Sequence, residues 1–152
     1  MFTKILVPVD ASDPHARPLE LALELARAGK GKVFLFSVVD DSFPNPDILS
    51  FQLPWADYYR HLREEIFKRL EKLRAEVGGT KDEIEVVVGR GKPARMIERF
   101  AQTEHIDLIV MATRGASGFQ QALLGSVTDR VIRLVDCPVM VVRSPGGEDQ
   151  EA

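Results

Sequence analysis

Residues 106–128 read Ile-Asp-Leu-Ile-Val-Met-Ala-Thr-Arg-Gly-Ala-Ser-Gly-Phe-Gln-Gln-Ala-Leu-Leu-Gly-Ser-Val-Thr. An apolar run, interrupted only by Asp107, ends at Ala112 and gives way to a small polar loop, and a helical pattern begins after Gly125 and Ser126. Such a run between turn residues predicts a strand buried on both faces. A strand, a glycine-rich loop and a helix start are together typical of phosphate sites, because glycines let the backbone approach an anion and free amides point toward it. Composition alone leaves an ordinary turn and a phosphate site open as interpretations.

The rest of the chain alternates between short apolar runs and helical patterns. Further strands are predicted at 4–9, 32–39, 83–88 and 139–142, and helices at 13–29, 55–77, from Pro93 onward and at 127–135. This alternation predicts an α/β fold in which helices cover both faces of a parallel sheet. Ligands of such sheets bind beyond the carboxyl ends of the strands, where the winding reverses. If the first and fourth strands are neighbours there, Asp10 and Ala112 face one crevice.

The start of the first helix carries conflicting signals. Asp13 is a favourable N-cap and Pro14 suits the first helical position. Pro18, however, removes one early hydrogen bond and would shift the start of the helix toward itself.

Length and composition bound the class of protein. We expect the 152 residues to form one domain over 1–144, followed by a flexible acidic tail at 145–152. The net charge of -3 does not favour nucleic acid as a partner, and no apolar stretch approaches membrane-spanning length. From the first residues we expect no secretory signal, and the single cysteine, Cys137, fits the cytoplasm and a buried hydrophobic role.

Other motifs in the sequence could indicate a dinucleotide site, a metal site or a catalytic site. Gly89-x-Gly91-x-x-Ala94 imitates a dinucleotide fingerprint, but it follows the third strand, and the acidic residue that should follow is missing. The three histidines show no metal-ligand spacing, and no nucleophile elbow is present. We therefore expect no protein-held metal and no enzyme, since no general base is evident.

The segment 40–54 is long, rich in proline and partly apolar. Loops of this length are often lids or contact surfaces. The alternative, which carries equal weight, is a loop that packs against the rest of the domain without such a role.

Several motifs together carry a resemblance to the universal stress protein family over residues 4–143. They are Ile-Leu-Val-Pro-Val-Asp-Ala-Ser from Ile5, Gly-Arg-Gly-Lys-Pro from Gly89, Asp-Leu-Ile-Val-Met-Ala-Thr-Arg-Gly from Asp107, Leu-Leu-Gly-Ser-Val-Thr-Asp-Arg-Val from Leu123, and Cys-Pro-Val-Met-Val-Val from Cys137. The resemblance implies a doubly wound, three-layer α/β fold of the adenine-nucleotide alpha hydrolase-like type. Its five parallel strands would lie in the order 3-2-1-4-5.

Many members of that family carry an ATP-binding pattern, G-x2-G-x9-G-[ST]. Here it falls on Ala112, Gly115, Gly125 and Ser126, with the spacing kept and the first glycine replaced by alanine. The Ala112 methyl group would crowd the approach of the backbone if that position required a positive φ. With three of four positions kept, we expect this chain to bind ATP.

The resemblance also implies a role for each site residue. Pro8, Val9 and Asp10 would border the adenosine, Val38 would contact the adenine, and Met111 and Ala112 would line the floor. The phosphates would be met by Arg114, Gly115, Gly125, Ser126, Val127 and Thr128. Arg114 can grip phosphate through two parallel hydrogen bonds. Mg²⁺, if present, would be held by the phosphates.

The last strand indicates self-association. Val139 to Val142 is short, apolar and at the sheet's edge if it is fifth in the order, and such an edge invites pairing with a second copy. The resemblance agrees, since this family commonly pairs last strands across a two-fold axis; an edge shielded by the chain's own tail is the alternative. We therefore expect a cytoplasmic, nucleotide-dependent stress-response homodimer with an unknown regulatory protein partner. A scaffold dimer that has lost nucleotide is the second hypothesis.

Overall fold

The computed structural model describes residues 1–42, 55–113 and 124–143. Five strands and four helices alternate along these segments. In chain order they are β1 (Lys4–Pro8), α1 (Ala16–Gly29), β2 (Lys32–Val39), α2 (Trp55–Glu76), β3 (Ile84–Arg90), α3 (Pro93–Thr103), β4 (Leu108–Ala112), α4 (Ser126–Leu134) and β5 (Val139–Val142). The proline-rich segment 43–54 and the tail from residue 144 lie outside the described residues, so the predictions made for them stay predictions.

The strands form one parallel sheet in the order β3-β2-β1-β4-β5, as the resemblance implied. β1 lies at the centre, with Leu6 opposite Phe34 of β2 and opposite Ile109 of β4. The winding direction reverses between β1 and β4. The carboxyl ends of these two strands are therefore adjacent, as expected from the sequence.

Alternation along the strands divides the core between the two faces of the sheet. Residues such as Val7 and Leu35 pack with α1 and α2, in a cluster that includes Leu23 and Leu70. Leu6 and Phe36 point the other way and pack with residues of α3 and α4. Ile5, Leu6 and Val7 are completely buried, which fits a strand that reads as a continuous apolar run.

The first helix begins later than its capping signals indicated. Its N-cap is His15 and its first residue is Ala16, so the prediction of Asp13 as cap and Pro14 as first residue is wrong. Starting at Ala16 puts Pro18 in the first turn, where backbone N–H groups have no intrahelical acceptor. A start at Pro14 would have required the N–H group that Pro18 lacks.

The other elements match their predictions within about two residues, the usual uncertainty of element ends. The stripe predicted on α2 packs inward, with Leu70 and Leu73 buried. No helix in the described segments is both long enough and apolar enough to span a bilayer.

Candidate functional site

A cavity of about 460 Å³ opens at the carboxyl ends of β1, β2 and β4. This volume lies within the range of about 300–1,000 Å³ that is usual for small-molecule sites. The lining comes from the β1–α1 connection, the end of β2, two helix faces and the start of α4: Pro8, Val9, Asp10, Ala11, Ser12, Asp13, His15, Pro18, Phe36, Ser37, Val38, Val39, Asp40, Leu62, Ile66, Arg69, Pro93, Ile97, Met111, Ala112, Gly125, Ser126, Val127 and Thr128.

Ten of the twelve predicted site residues line this cavity: Pro8, Val9, Asp10, Val38, Met111, Ala112, Gly125, Ser126, Val127 and Thr128. They come from the ends of three strands and the start of one helix. Arg114 and Gly115 lie outside the described residues, so their placement stays a prediction.

The first turn of α4 supplies backbone donors to the cavity. Gly125 is the N-cap, and as a glycine it has no side chain that could cap the helix. The first intrahelical bond runs from the Asp129 N–H to the Gly125 carbonyl oxygen at 2.9 Å. The N–H groups of residues 126–128 therefore have no acceptor within the helix, and the helix dipole adds partial positive charge there. This end of the cavity is suited to an anion.

Two hydrogen bonds tie the start of α4 to the end of β4. The Thr128 hydroxyl donates to the Ala112 carbonyl oxygen at 3.0 Å, and the Gly125 N–H donates to the Thr113 carbonyl oxygen at 2.7 Å. Thr128 is buried, and Ala112 is the last residue of β4. The turn of α4 that faces the cavity is thereby held against the sheet.

The alanine at the first position of the glycine pattern fits its backbone. Among the described non-glycine residues, only Lys30 and His105 have a positive φ. Ala112 instead continues β4 and pairs in register with Val142 of β5. The steric objection to a methyl group at this position depended on a positive φ, so it does not apply here.

Asp10 places a carboxylate beside the end of the cavity that is suited to an anion. Its Oδ1 accepts hydrogen bonds from the Ser12 N–H at 2.9 Å and from the Ser12 hydroxyl at 2.6 Å. These bonds fix the carboxylate just beyond β1. An ionised carboxylate is an acceptor only, so it suits a hydroxyl-bearing part of a ligand and opposes a phosphate.

The sequence interpretation missed the far wall of the cavity, which is the wall that α2 forms. Leu62, Ile66 and Arg69 form a stripe on α2, and the Arg69 guanidinium donates to the Ala11 carbonyl oxygen at 3.3 Å. The buried residue Ser37 on β2 also lines the cavity. The apolar stripe was assigned to the core by default. A polar Ser37 within the apolar run of β2 was the one local signal that could have revealed this wall.

The other candidate sites carry little chemistry. The described residues contain no group of three His, Cys, Asp or Glu side chains that could hold a metal ion. Gly91, at φ +142°, forms the turn that precedes α3, and it follows β3 at the edge of the sheet, away from the winding reversal. Burial raises the pKa of the half-buried Cys137 thiol, which disfavours the reactive thiolate.

Comparison with known proteins gives the family. The model of the universal stress protein family matches residues 1–143. The chain belongs to the universal stress protein family.

Two universal stress proteins illustrate the sequence relationship. Universal stress protein MJ0531 of Methanocaldococcus jannaschii is 36% identical over 151 residues, which cover 97% of this chain and 86% of that protein. Universal stress protein YxiE of Bacillus subtilis is 29% identical over 148 residues, covering 94% of this chain and all of that protein. Both relationships extend over nearly the whole domain.

Solved structures show the same fold. That of MJ0577, a universal stress protein of Methanocaldococcus jannaschii, matches with a TM-score of 0.73 at 29% identity, covering 97% of this chain and 99% of that chain. UspA of Lactobacillus plantarum matches with a TM-score of 0.75 at 26% identity, covering 93% and 98%. A universal stress protein in complex with cAMP shares the fold, with a TM-score of 0.64 at 22% identity, covering 93% and 97%.

Proposed function

We propose that this universal stress protein binds an adenine nucleotide, with ATP as the expected ligand, in the cavity at the carboxyl ends of β1, β2 and β4. The observation that carries the proposal is the first turn of α4, which begins after a glycine N-cap and faces a cavity of about 460 Å³. The volume fits a nucleotide, and the backbone donors fit its phosphate groups.

The order of polar groups also supports a nucleotide. The amides without an acceptor in the helix lie at Ser126 to Thr128, and the Asp10 carboxylate lies at the end of the neighbouring central strand. This arrangement would place ribose hydroxyls near Asp10 and phosphates at α4. The glycine pattern G-x2-G-x9-G-[ST], kept at Gly115, Gly125 and Ser126, points the same way. The complex of another universal stress protein with cAMP gives an example of an adenine nucleotide on this fold.

We propose a binding role and no catalysis. Mg²⁺ would be carried by the phosphates and not by a cage of side chains. Binding would stabilise the folded state. If the nucleotide also orders the segment 40–54, binding would alter the affinity of the protein for a regulatory partner in the cytoplasm. Slow ATP hydrolysis can be measured directly by phosphate release, and turnover above the background rate would contradict this part of the proposal.

A pair of substitutions at Ser126 tests the role of the amides. Gly125 has φ -59° and ψ 154°, a conformation that a following proline accepts, and α3 itself begins with Pro93. Ser126→Pro should therefore fold normally while it removes one N–H donor. Ser126→Val also removes the hydroxyl but keeps the N–H, and its side chain is close in size to that of proline.

Calorimetric titration with ATP gives the readout. We expect the wild-type protein to bind, Ser126→Pro to bind about tenfold more weakly, and Ser126→Val to lose less, because a hydrogen bond to a charged group contributes about 1.5–3 kcal/mol. Equal affinities for the two variants would contradict the role of the amide. No heat and no rise in melting temperature at millimolar ATP, for the wild type, would favour the scaffold hypothesis.

We also propose that β5 pairs with β5 of a second copy. β5 lies at the edge of the sheet, and the side chain of Met140 is exposed. An apolar edge strand is a template for pairing, and a two-fold axis would close the assembly.

Sedimentation velocity can test this assembly. The wild type should sediment with about twice the chain mass of 17.0 kDa. Met140→Lys should shift it to monomer, because charge on an edge strand opposes pairing. Phe67→Lys places the same charge at another exposed apolar side chain, on α2, and should leave the dimer intact. A monomeric wild type would contradict the proposal.

A further inference from the structure

A second cavity, of about 360 Å³, lies beside the amino ends of β4 and β5, at the opposite end of the sheet from the proposed nucleotide site. Its walls come from the last turns of α3 and from the segments that lead into β4 and β5: Glu98, Ala101, Gln102, His105, Ile106, Val135, Asp136 and Cys137. Ala101 and Ile106 belong to the hydrophobic cluster on the α3 and α4 face. The cavity therefore lies on that face of the sheet.

This cavity has a negative character. Glu98 and Asp136 contribute carboxylates, and the described residues that line it include no lysine or arginine. Both α3 and α4 end beside it, so their dipoles add partial negative charge. Glu98 already pairs with Arg95 at 3.1 Å, whereas Asp136 is exposed at the rim. Burial and the carboxylates of Asp107 and Asp136 raise the pKa of the Cys137 thiol, so this charge acts on the cavity wall. The cavity is suited to a cation.

The backbone of β5 limits how this strand can pair with a second copy. The carbonyl oxygens of Pro138 and Val142 accept hydrogen bonds from the β4 side of the sheet, both at 2.9 Å. Backbone groups alternate in direction along a strand, so Val139, Val141 and Arg143 direct theirs toward the open edge. In an antiparallel pair, two residues that exchange hydrogen bonds must both belong to this outward set. A two-fold axis therefore passes beside a residue and not between two residues.

Two registers overlap the four-residue strand best. With the axis beside Met140, Val139 lies opposite the partner's Val141, and Cys137 lies opposite the partner's Arg143. With the axis beside Val141, the partner's Arg143 lies opposite Val139 instead. The second register moves this arginine two residues, or about 7 Å, away from the cavity.

The side chain of Arg143 is on the same face of the sheet as the cavity. Val139 packs with the cluster on the α3 and α4 face, and Val142 packs with the cluster on the other face. Alternation therefore places Arg143 on the face of Val139. Residues directly opposite each other in an antiparallel pair share a face, and their Cα atoms are about 5.5 Å apart in a hydrogen-bonded pair. In the register centred on Met140, a guanidinium from the second copy would then reach Asp136.

We propose that β5 pairs with its copy in the register centred on Met140, and that the acidic cavity receives the guanidinium of Arg143 of the partner subunit beside Asp136 and Glu98. The inference rests on the proposed pairing of β5 and specifies its register and its polar contact. The two-fold axis repeats this contact, so each dimer contains it twice. The exposed side chain of Met140 would lie against its own copy at the axis, where opposite Cα atoms are about 4.5 Å apart.

Disulfide cross-linking tests the register. Met140→Cys and Val141→Cys are each made in a Cys137→Ser chain, oxidised and separated on a non-reducing gel. A disulfide requires Cα atoms about 4.4–6.8 Å apart. We expect Met140→Cys to form covalent dimers, and we expect Val141→Cys to form no more than Phe67→Cys, which reports random collisions at an exposed position on α2. Faster cross-linking of Val141→Cys, or equal cross-linking of all three, overturns the register.

Charge reversal tests the contact in the cavity. The dissociation constant of the dimer is measured by sedimentation equilibrium. Asp136→Lys and Arg143→Glu should each raise it about tenfold, because each change replaces two attractions per dimer by two repulsions. The double variant restores opposite charges and should return to within about threefold of the wild type. Arg63→Glu, at an exposed position on α2, makes the same charge change and should leave the dissociation constant unchanged.

The outcomes separate the contact from the pairing. An Arg143→Glu variant with an unchanged dissociation constant overturns the contact, as does a double variant that dimerises no better than the single ones. A wild type that sediments as a monomer contradicts the pairing of β5 itself, and the inference fails with it. Melting temperatures of all variants show that the comparison is made between folded proteins.

Discussion

The hydroxyl of Thr128 donates a hydrogen bond to the carbonyl oxygen of Ala112 at 3.0 Å, across sixteen residues of sequence. One partner is the last residue of β4 and the other lies in the first turn of α4. The bond therefore joins the two elements that border the phosphate end of the cavity. It gives the buried hydroxyl an acceptor and fixes the direction of the helix start.

Thr128→Val should remove this bond while keeping the size and branching of the side chain. We expect the free energy of unfolding to fall by about 1 kcal/mol, because the half-buried Ala112 carbonyl oxygen loses this donor. Urea denaturation gives the measurement. Thr103→Val, at an exposed position at the end of α3, is the control and should change stability by less than about 0.5 kcal/mol. Equal effects at both sites would contradict the role of the bond.

Asp107→Asn should loosen the start of the central strand. The Asp107 carboxylate accepts hydrogen bonds from the Thr3 N–H at 2.8 Å, the Thr3 hydroxyl at 3.0 Å and the Lys4 N–H at 3.2 Å. Replacing the charged acceptor by an amide should lower stability by about 1–2 kcal/mol. Denaturant titration tests this, with Asp82→Asn, at an exposed position, as the control. A loss no larger than that of the control would contradict the prediction.

Glu83 should make stability depend on acid pH. The Arg27 guanidinium donates to its carboxylate at 2.7 and 3.1 Å, and with the Thr80 N–H it lowers the pKa of Glu83 from 4.5 to about 2. Because the pKa is lower in the folded state, the contribution is fully present above about pH 4.5 and is lost as pH falls toward 2.

Denaturation of the wild type and Glu83→Gln between pH 7 and pH 2 checks this dependence. The difference in stability should be constant near neutrality and should shrink below about pH 4.5. Arg27→Gln should remove the same contribution, so the double variant should be less destabilised than the sum of the single changes. A difference that is independent of pH would contradict the assignment.

Lys30→Gly should stabilise the protein. Lys30 ends α1 with φ 53° and ψ 37°, a left-handed conformation in which a Cβ atom is strained. Glycine removes this strain, and we expect a gain of about 1 kcal/mol, reduced in part by the greater freedom of the unfolded chain. Lys30→Ala keeps the Cβ atom and removes the charge, so it should give no such gain in thermal unfolding. A gain of equal size from alanine would assign the effect to the side chain.

The sequence by itself determined the helices and strands, and it determined the part of the site that is formed by the ends of β1 and β4 and the start of α4. Unbroken apolar runs such as Ile5 to Val7 can be satisfied only by strands covered on both faces, and glycine and proline mark where those strands end. The family resemblance supplied the strand order and ten of the cavity residues, because Asp10, Ala112 and Gly125 lie in short motifs whose spacing survives in the linear chain.

Only the tertiary structure decided the start of α1 and the far wall of the cavity. Asp13 and Pro14 were good local signals for a helix start, but Pro18 is tolerated only within the first turn, and the helix begins at Ala16. Leu62 and Ile66 have the periodicity of any core stripe. They line a cavity because α2 packs on the sheet beside β2, a long-range arrangement that their local pattern does not encode.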